Sequence, residues 1–450
     1  MRKYLLVLGI LFFISPLFAA YNRLGIPDSS EIRESMEETW LQAPLSVLRR
    51  YTPELRYGDS GGKFQIQFEE DETTFTISVA PEARINIAVQ SDTDSYLEEH
   101  TIYPKDACGS WVMIKNKKTE KPMVIRYYFL KDSDVYIQFT PKGKVAFVDL
   151  VIFGNYAARG VPTGVPFDKF YTASFEDVIK FTENKIPWDY VLCDTDMYHS
   201  IKQMCAVIRE HIPDIKSIPD AMYDENNKLV HISTGKEFEI MEDDGRLSLS
   251  SAGFVKWIGD GLIEPLTGGM LKRDPLLNST VTVKDNGHQG VLSEQFNLYF
   301  SLDWIRNLAS AIISVYTGVT HFSNMSGVDV TINPFASTYT ENGIENIVTF
   351  LENTGYSVTV LKSLLYVLAS TEPGTFYLGA IRETDKTVSP EIKVFNECVA
   401  FFPYFEDDGG FACGVFMNGR EISLKDFCFY HKDDFVYLTK VKASDNFFPF

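Results

Sequence analysis

The stretch LSLSSAGFVKWIGDGL, from Leu247 to Leu262, contains a clear helix start in the C-terminal half of the chain. Ser250 and Ser251 stand just before an apolar run that begins at Phe254. Serine is favoured at this position because its hydroxyl accepts a hydrogen bond from an unpaired amide of the first helical turn. The pattern predicts a helix over residues 254–262 and leaves two interpretations of Ser251, as a helix cap or as a reacting group.

The sequence on either side of this helix predicts more helices first and strands afterwards. Apolar residues three and four apart between Met197 and Ile212 predict an amphipathic helix. Further apolar runs predict helices over residues 296–313 and 360–368. From Thr375 onward the apolar period becomes two, which predicts strands at residues 375–381, 394–405, 411–417 and 435–441. Helices followed by an antiparallel sheet are typical of the α+β class.

The N-terminal part has a different pattern. Residues 21–55 have the composition of a helical segment, whereas from Lys63 to Phe153 apolar and polar residues alternate in about seven runs. Strands without an intervening helix predict a β-sandwich domain over residues 56–159. The segment GVPTGVP, which begins at Gly160, interrupts regular structure, so residues 160–195 are predicted to be a linker.

The first twenty residues, MRKYLLVLGILFFISPLFAA, have the pattern of a signal peptide. Two cations precede an apolar run from Tyr4 to Ile14, and the small residues Ala19 and Ala20 follow. The apolar run is shorter than the roughly 20 residues that a bilayer-spanning helix needs. We therefore expect residues 1–20 to be removed near Ala19 or Ala20, and the protein to be exported, periplasmic or secreted, without spanning the membrane.

Charge and motif content narrow the classes of function. A formal net charge of −19 repels phosphate backbones, so nucleic acid is not an expected partner. The six cysteines contain no closely spaced pair, and no two histidines have the spacing of a helical metal site. The sequence also has no phosphate-binding loop of the usual pattern. We therefore predict neither a metal nor a cofactor.

The segment SSAGFVKW, with helices before the sheet, resembles the NlpC-type peptidases, a papain-like family of bacterial cell-wall hydrolases. In that family a helix opens with Asp-Cys-Ser-Gly-Phe-Val. Gly253 and the two residues after it match the family's Gly-Phe-Val, and the nucleophilic cysteine falls on Ser251. The resemblance implies a papain-like α+β domain over residues 196–450, with a long insertion between about residues 264 and 372.

The second catalytic position of the family is a histidine at the start of a later strand. In this chain that position falls on Cys398, or on Asn396 if the register slips by one pleat. The field of a helix N-terminus can activate a thiol, but a serine hydroxyl gains far less and needs a hydrogen-bonded base. The resemblance therefore implies that the fold is kept for binding and that catalysis is lost at Ser251.

Two alternatives stay open. A base could come from a histidine elsewhere, such as His431 or His288, in which case the chain is an active cell-wall hydrolase that uses Ser251 or an unrecognised site. The chain could also be a structural or interaction protein of the envelope. Among binding residues, Gly253 and Trp257 are the candidates, although an aromatic residue such as Trp257 can equally be a core anchor.

The sequence thus predicts an exported cell-envelope protein of α+β class, with a catalytically inactive NlpC-like domain that acts in binding. The partners that the resemblance implies are peptidoglycan stem peptides or another envelope protein.

Overall fold

The computed structural model describes residues 25–58, 61–90, 95–239, 245–281, 298–323, 326–336, 338–340, 343–345, 349–387 and 389–450. The predicted signal peptide and His288 lie outside the described residues. The chain divides into two compact units. The first consists of the residues up to 148 together with 160–185, and the second of residues 149–159 and 186–450.

The N-terminal part is built from short helices and ten strands among the described residues. The helices are α1 (Ser30–Ser35), α2 (Leu45–Leu48), α3 (Lys169–Thr172) and α4 (Phe175–Thr182), with a π-helical turn at Glu37–Leu41. The strands are β1 (Glu54–Tyr57), β2 (Lys63–Glu70), β3 (Thr74–Pro81), β4 (Ala83–Gln90), β5 (Ser95–Ile102), β6 (Trp111–Asn116), β7 (Pro122–Tyr127), β8 (Val135–Lys142), β9 (Val145–Ile152) and β10 (Asn155–Pro162). Eight of them form one sheet in the order β1-β2-β3-β6-β7-β8-β9-β10, and β4 pairs with β5 as a separate ribbon.

This single sheet differs from the two facing sheets of the predicted β-sandwich. Its buried aromatic residues pack against helices: the ring of Phe139 stacks on Phe170 of α3 with centroids 3.8 Å apart. The ring of Tyr127 meets Phe175 of α4 edge-on at 5.3 Å. Residues 160–185, which are part of the predicted linker over residues 160–195, therefore cover a sheet face that would otherwise need a second sheet.

The N-terminal helical segment also packs on this sheet. Arg33 of α1 is fully buried, and its guanidinium donates hydrogen bonds to the Tyr127 hydroxyl at 3.3 Å and to the Tyr171 carbonyl at 3.1 Å. A buried guanidinium is stable only when its donors find such partners. Arg33 therefore connects α1, the sheet and α3.

The second unit contains the remaining elements, together with the end of β9 and the first part of β10. Its described helices are α5 (His199–His211), α6 (Ser251–Thr267), α7 (Arg273–Leu276), α8 (Phe300–Thr317), α9 (Leu361–Thr371) and α10 (Leu424–Tyr430). Its described strands are β11 (Ile215–Ser217), β12 (Ala221–Tyr223), β13 (Leu229–His231), β14 (Leu247–Leu249), β15 (Thr338–Thr340), β16 (Gly343–Glu345), β17 (Tyr356–Ser357), β18 (Thr375–Asp385), β19 (Ile392–Phe405), β20 (Phe411–Met417), β21 (Arg420–Ile422) and β22 (Phe435–Lys442). Across the part of the chain that the structure describes, no helix is both long and apolar enough to cross a membrane.

The centre of this unit is a six-stranded antiparallel sheet with the order β17-β22-β18-β19-β20-β21. On one face, the Thr439 hydroxyl of β22 donates to the Ile305 carbonyl of α8. On the other, α10 and α9 contact β19 through ring pairs that involve Phe401 and Phe405. The predicted α+β class, with helices packed on an antiparallel sheet, is confirmed. Helices α8 and α9 belong to this core, although they fall in the expected insertion.

Helix α6 begins one residue after its cap. The Ser250 hydroxyl accepts a hydrogen bond from the Gly253 amide at 3.1 Å and donates one to the Ala221 carbonyl at 3.0 Å. The helix ends at Gly268, whose φ of +71° is readily adopted only by glycine. Ser250 is therefore the N-cap, and the interpretation of Ser251 as the helix cap is wrong: Ser251 is the first helical residue, and its hydroxyl is available for another contact.

Candidate functional site

The structure brings together the two positions that the family resemblance pairs. The backbone amide of Cys398 on β19 donates a hydrogen bond to the Ser251 hydroxyl oxygen at 3.2 Å. The pairing of β19 with β20 starts only at Ala400, so the Cys398 amide is not used in that ladder. The N-terminus of α6 thus contacts β19 at the residue predicted to occupy the histidine position.

Burial limits what these two side chains can do. Ser251 is 9% exposed, and Cys398 has no exposed surface. Burial raises the pKa of the Cys398 thiol well above its ordinary value, because a thiolate is poorly solvated there, and the nearby Glu397 adds to the effect. Neither a thiolate nor an imidazole is therefore present at this position near neutral pH.

Asn396, the alternative to Cys398, does not share its environment. Ile381 of β18 pairs with Glu397 and the next residue, Arg382, pairs with Phe395, so Asn396 is the extra residue of a β-bulge. Its side chain is exposed and donates to the Glu383 carboxylate at 3.1 Å. The strand register that would put Asn396 at the site is therefore not present, because the bulge turns the Asn396 side chain outward.

His431 does not supply the missing base to Ser251. Its Nδ1 lies 3.1 Å from a carboxylate oxygen of Asp434, and its ring packs on Phe427 of α10. Phe427 contacts Phe401, which lies three residues beyond Cys398 and therefore on the opposite face of β19. His431 and Cys398 are thus on different sides of the sheet.

No other imidazole within the described ranges replaces it. His211, His231 and His321 form hydrogen bonds with Val207, Asp220 and Thr317 respectively, and none of the described histidine rings bonds to Ser251. Within the same residues no group of three or more histidine, cysteine or acidic side chains could hold a metal ion. A serine without a base is a poor nucleophile, so this geometry disfavours the active-hydrolase alternative at Ser251.

Both candidate binding residues lie in the core. Trp257 is 1% exposed, stacks on Phe254 and donates its indole N–H to the Phe450 carbonyl at 2.9 Å. A Cβ added at Gly253 would lie 2.2 Å from the Ala221 carbonyl oxygen. Both residues therefore contact other parts of the protein and not a ligand, and they hold the start of α6 in its position.

A buried ion pair in the same helix was not predicted from the sequence. Lys256 and Asp260 are each 1% exposed and lie 2.6 Å apart. Lys256 also donates to the Tyr223 carbonyl, and Asp260 accepts from the Leu271 amide. The pair could have been predicted from the sequence, because two opposite charges lie four residues apart in an otherwise apolar helix.

The Cys398 thiol is expected to resist alkylation in the native protein. A raised pKa lowers the thiolate fraction at any given pH, and the thiolate is the form that reacts with iodoacetamide. At pH values near 8 we expect mass spectrometry to find Cys398 unmodified in native protein and fully modified after unfolding in urea. Rapid modification of native Cys398 would show that this position is open and reactive.

One family model matches part of the chain. It is described as a domain of unknown function (DUF8515) and matches residues 22–190. The match covers the described residues of the first unit and ends before the helix that contains Ser251. No curated protein and no solved structure matches the chain.

Proposed function

We propose that residues 196–450 form a degenerate NlpC-like, papain-like domain that binds its ligand without cleaving it at Ser251. The observation that carries this proposal is the hydrogen bond from the Cys398 amide to the Ser251 hydroxyl. It joins a helix N-terminus to a sheet strand at the two positions where the family has its nucleophile and its histidine. Both positions hold residues that are unsuited to that chemistry.

The local chemistry disfavours catalysis at Ser251. The Ser251 hydroxyl accepts a hydrogen bond from an amide, and no described imidazole takes its proton. The Cys398 thiol is buried and neutral, so it cannot act as a base. A site with this donor and acceptor set holds a helix against a strand and performs no proton transfer.

The ligand that the resemblance implies is the stem peptide of peptidoglycan, and the signal-peptide pattern of residues 1–20 supports export to the cell envelope. The test is a calorimetric titration of the protein with purified muropeptides. We expect saturable binding, with the muropeptide recovered intact. Glycan strands stripped of their peptides are the control and should not bind. Absence of muropeptide binding would remove stem peptides as the ligand.

A second candidate function is contact with another envelope protein. It is favoured by the β4–β5 ribbon, which pairs with no other described strand. One face of the ribbon exposes Ile85, Ile87 and Tyr96, and the other exposes Leu97. A two-stranded ribbon is marginally stable alone, and clustered exposed apolar residues are typical of contact surfaces. The surface involved would be in the first unit and separate from Ser251.

A further inference from the structure

The second unit contains a cavity of about 750 Å³ that Ser251 does not line. Its walls are mainly apolar and include Ile312, Ile313 and Tyr316 of α8 and Val441 of β22. This volume lies in the range of pockets that hold small molecules, about 300–1,000 Å³. Exposed apolar surface of this kind gains free energy when an apolar ligand covers it.

Charged groups stand among the residues that line the cavity. The Lys440 ammonium donates to the Glu372 carboxylate at 2.9 Å, so these two charges offset each other. The Lys442 side chain is exposed and donates only to the Pro373 carbonyl at 3.3 Å. Within the described residues Lys442 has no carboxylate partner, which leaves one uncompensated cation at the cavity.

We propose that this cavity binds an amphiphilic carboxylate, such as a medium- or long-chain fatty acid. The chain packs against the apolar side chains of α8, and the carboxylate lies at Lys442. An apolar chain alone would leave the Lys442 ammonium without a counter-ion, and a small anion alone would leave the apolar walls uncovered. The inference depends on the cavity and not on Ser251, so it stands or falls independently of the proposed function.

The test uses dansyl-undecanoic acid as a fluorescent probe, displaced by dodecanoate or by dodecanol. We expect both competitors to displace the probe from the full chain. Lys442→Glu should weaken dodecanoate about tenfold, which corresponds to about 1.4 kcal/mol, and change dodecanol by less than about twofold. Lys425→Glu is the matched control, since it changes the net charge equally at an exposed position of α10 that does not line the cavity.

A second variant tests the apolar walls. Ile313→Trp adds volume inside the cavity and should weaken both competitors by at least about tenfold. Ile332→Trp, at an exposed side chain outside the cavity, should leave both unchanged, and circular dichroism checks that each variant is folded. The proposal is overturned if the probe does not bind, if Ile313→Trp has no effect, or if Lys442→Glu weakens acid and alcohol equally.

Discussion

The Asp260→Ala variant is expected to lose about 3–5 kcal/mol of its free energy of unfolding. Asp260 and Lys256 are buried together in α6, 2.6 Å apart, and the alanine variant would leave the Lys256 ammonium as an unpaired buried charge. The loss is enlarged because Asp260 also accepts a hydrogen bond from the Leu271 amide at 2.8 Å. Urea unfolding followed by tryptophan fluorescence measures it.

The double variant Lys256→Met with Asp260→Leu is the matched control. Burial raises the pKa of Asp260 in spite of its cationic neighbour, so desolvation outweighs the attraction within the pair. Apolar side chains of similar size remove both charges at once, and we expect stability close to that of the wild type or higher. A double variant as unstable as Asp260→Ala, or an Asp260→Ala variant with wild-type stability, would contradict this view of the pair.

The Gly253→Ala variant is expected to destabilise the second unit by about 3 kcal/mol or more. An added Cβ would lie 2.2 Å from the Ala221 carbonyl oxygen and 3.2 Å from the Met222 Cα, and these backbone atoms cannot move as a side chain can. Overpacking against side chains typically costs about 1–3 kcal/mol, and a clash with backbone costs more. The Ala221 carbonyl also accepts from Ser250, so the clash would disturb the helix cap.

Gly269→Ala is the control for Gly253→Ala. An added Cβ at Gly269 meets no atom within 4 Å, so this variant should unfold at a urea concentration equal to or slightly above that of the wild type. If Gly253→Ala unfolded at the same urea concentration as Gly269→Ala, α6 would not approach β12 as closely as it does in the structure.

Periodicity was sufficient to predict the long helices and the long strands of the second unit, but not its short elements. The run after Ser250 is helix α6, and the alternation after Thr375 is the sheet that contains β18 and β19. The alternation does not show, however, whether helices or a second sheet pack on a given face of a sheet. The sequence around Phe139 would alternate in the same way whether its ring packed on a second sheet or on Phe170. The helices that contain Phe170 and Phe175 are too short to be recognised from the sequence.

The resemblance paired Ser251 with Cys398, but the sequence held no signal for the details of their surroundings. The contact between Ser251 and Cys398 joins residues 147 positions apart, and only the family resemblance suggested it. Two adjacent serines left the cap uncertain by one residue, and Ser250 takes that role. The bulge at Asn396 arises from pairing with β18, and the cavity near Thr375 combines segments distant in sequence, so neither has a local signal.

The central claim is that Ser251 does not carry out hydrolysis. Its most direct test is incubation of the wild type and the Ser251→Ala variant with purified muropeptides, followed by mass spectrometry of the products. We predict intact muropeptides in both reactions, because no described imidazole bonds to Ser251 and the Cys398 thiol beside it is buried. Cleavage by the wild type that Ser251→Ala abolishes would contradict the claim.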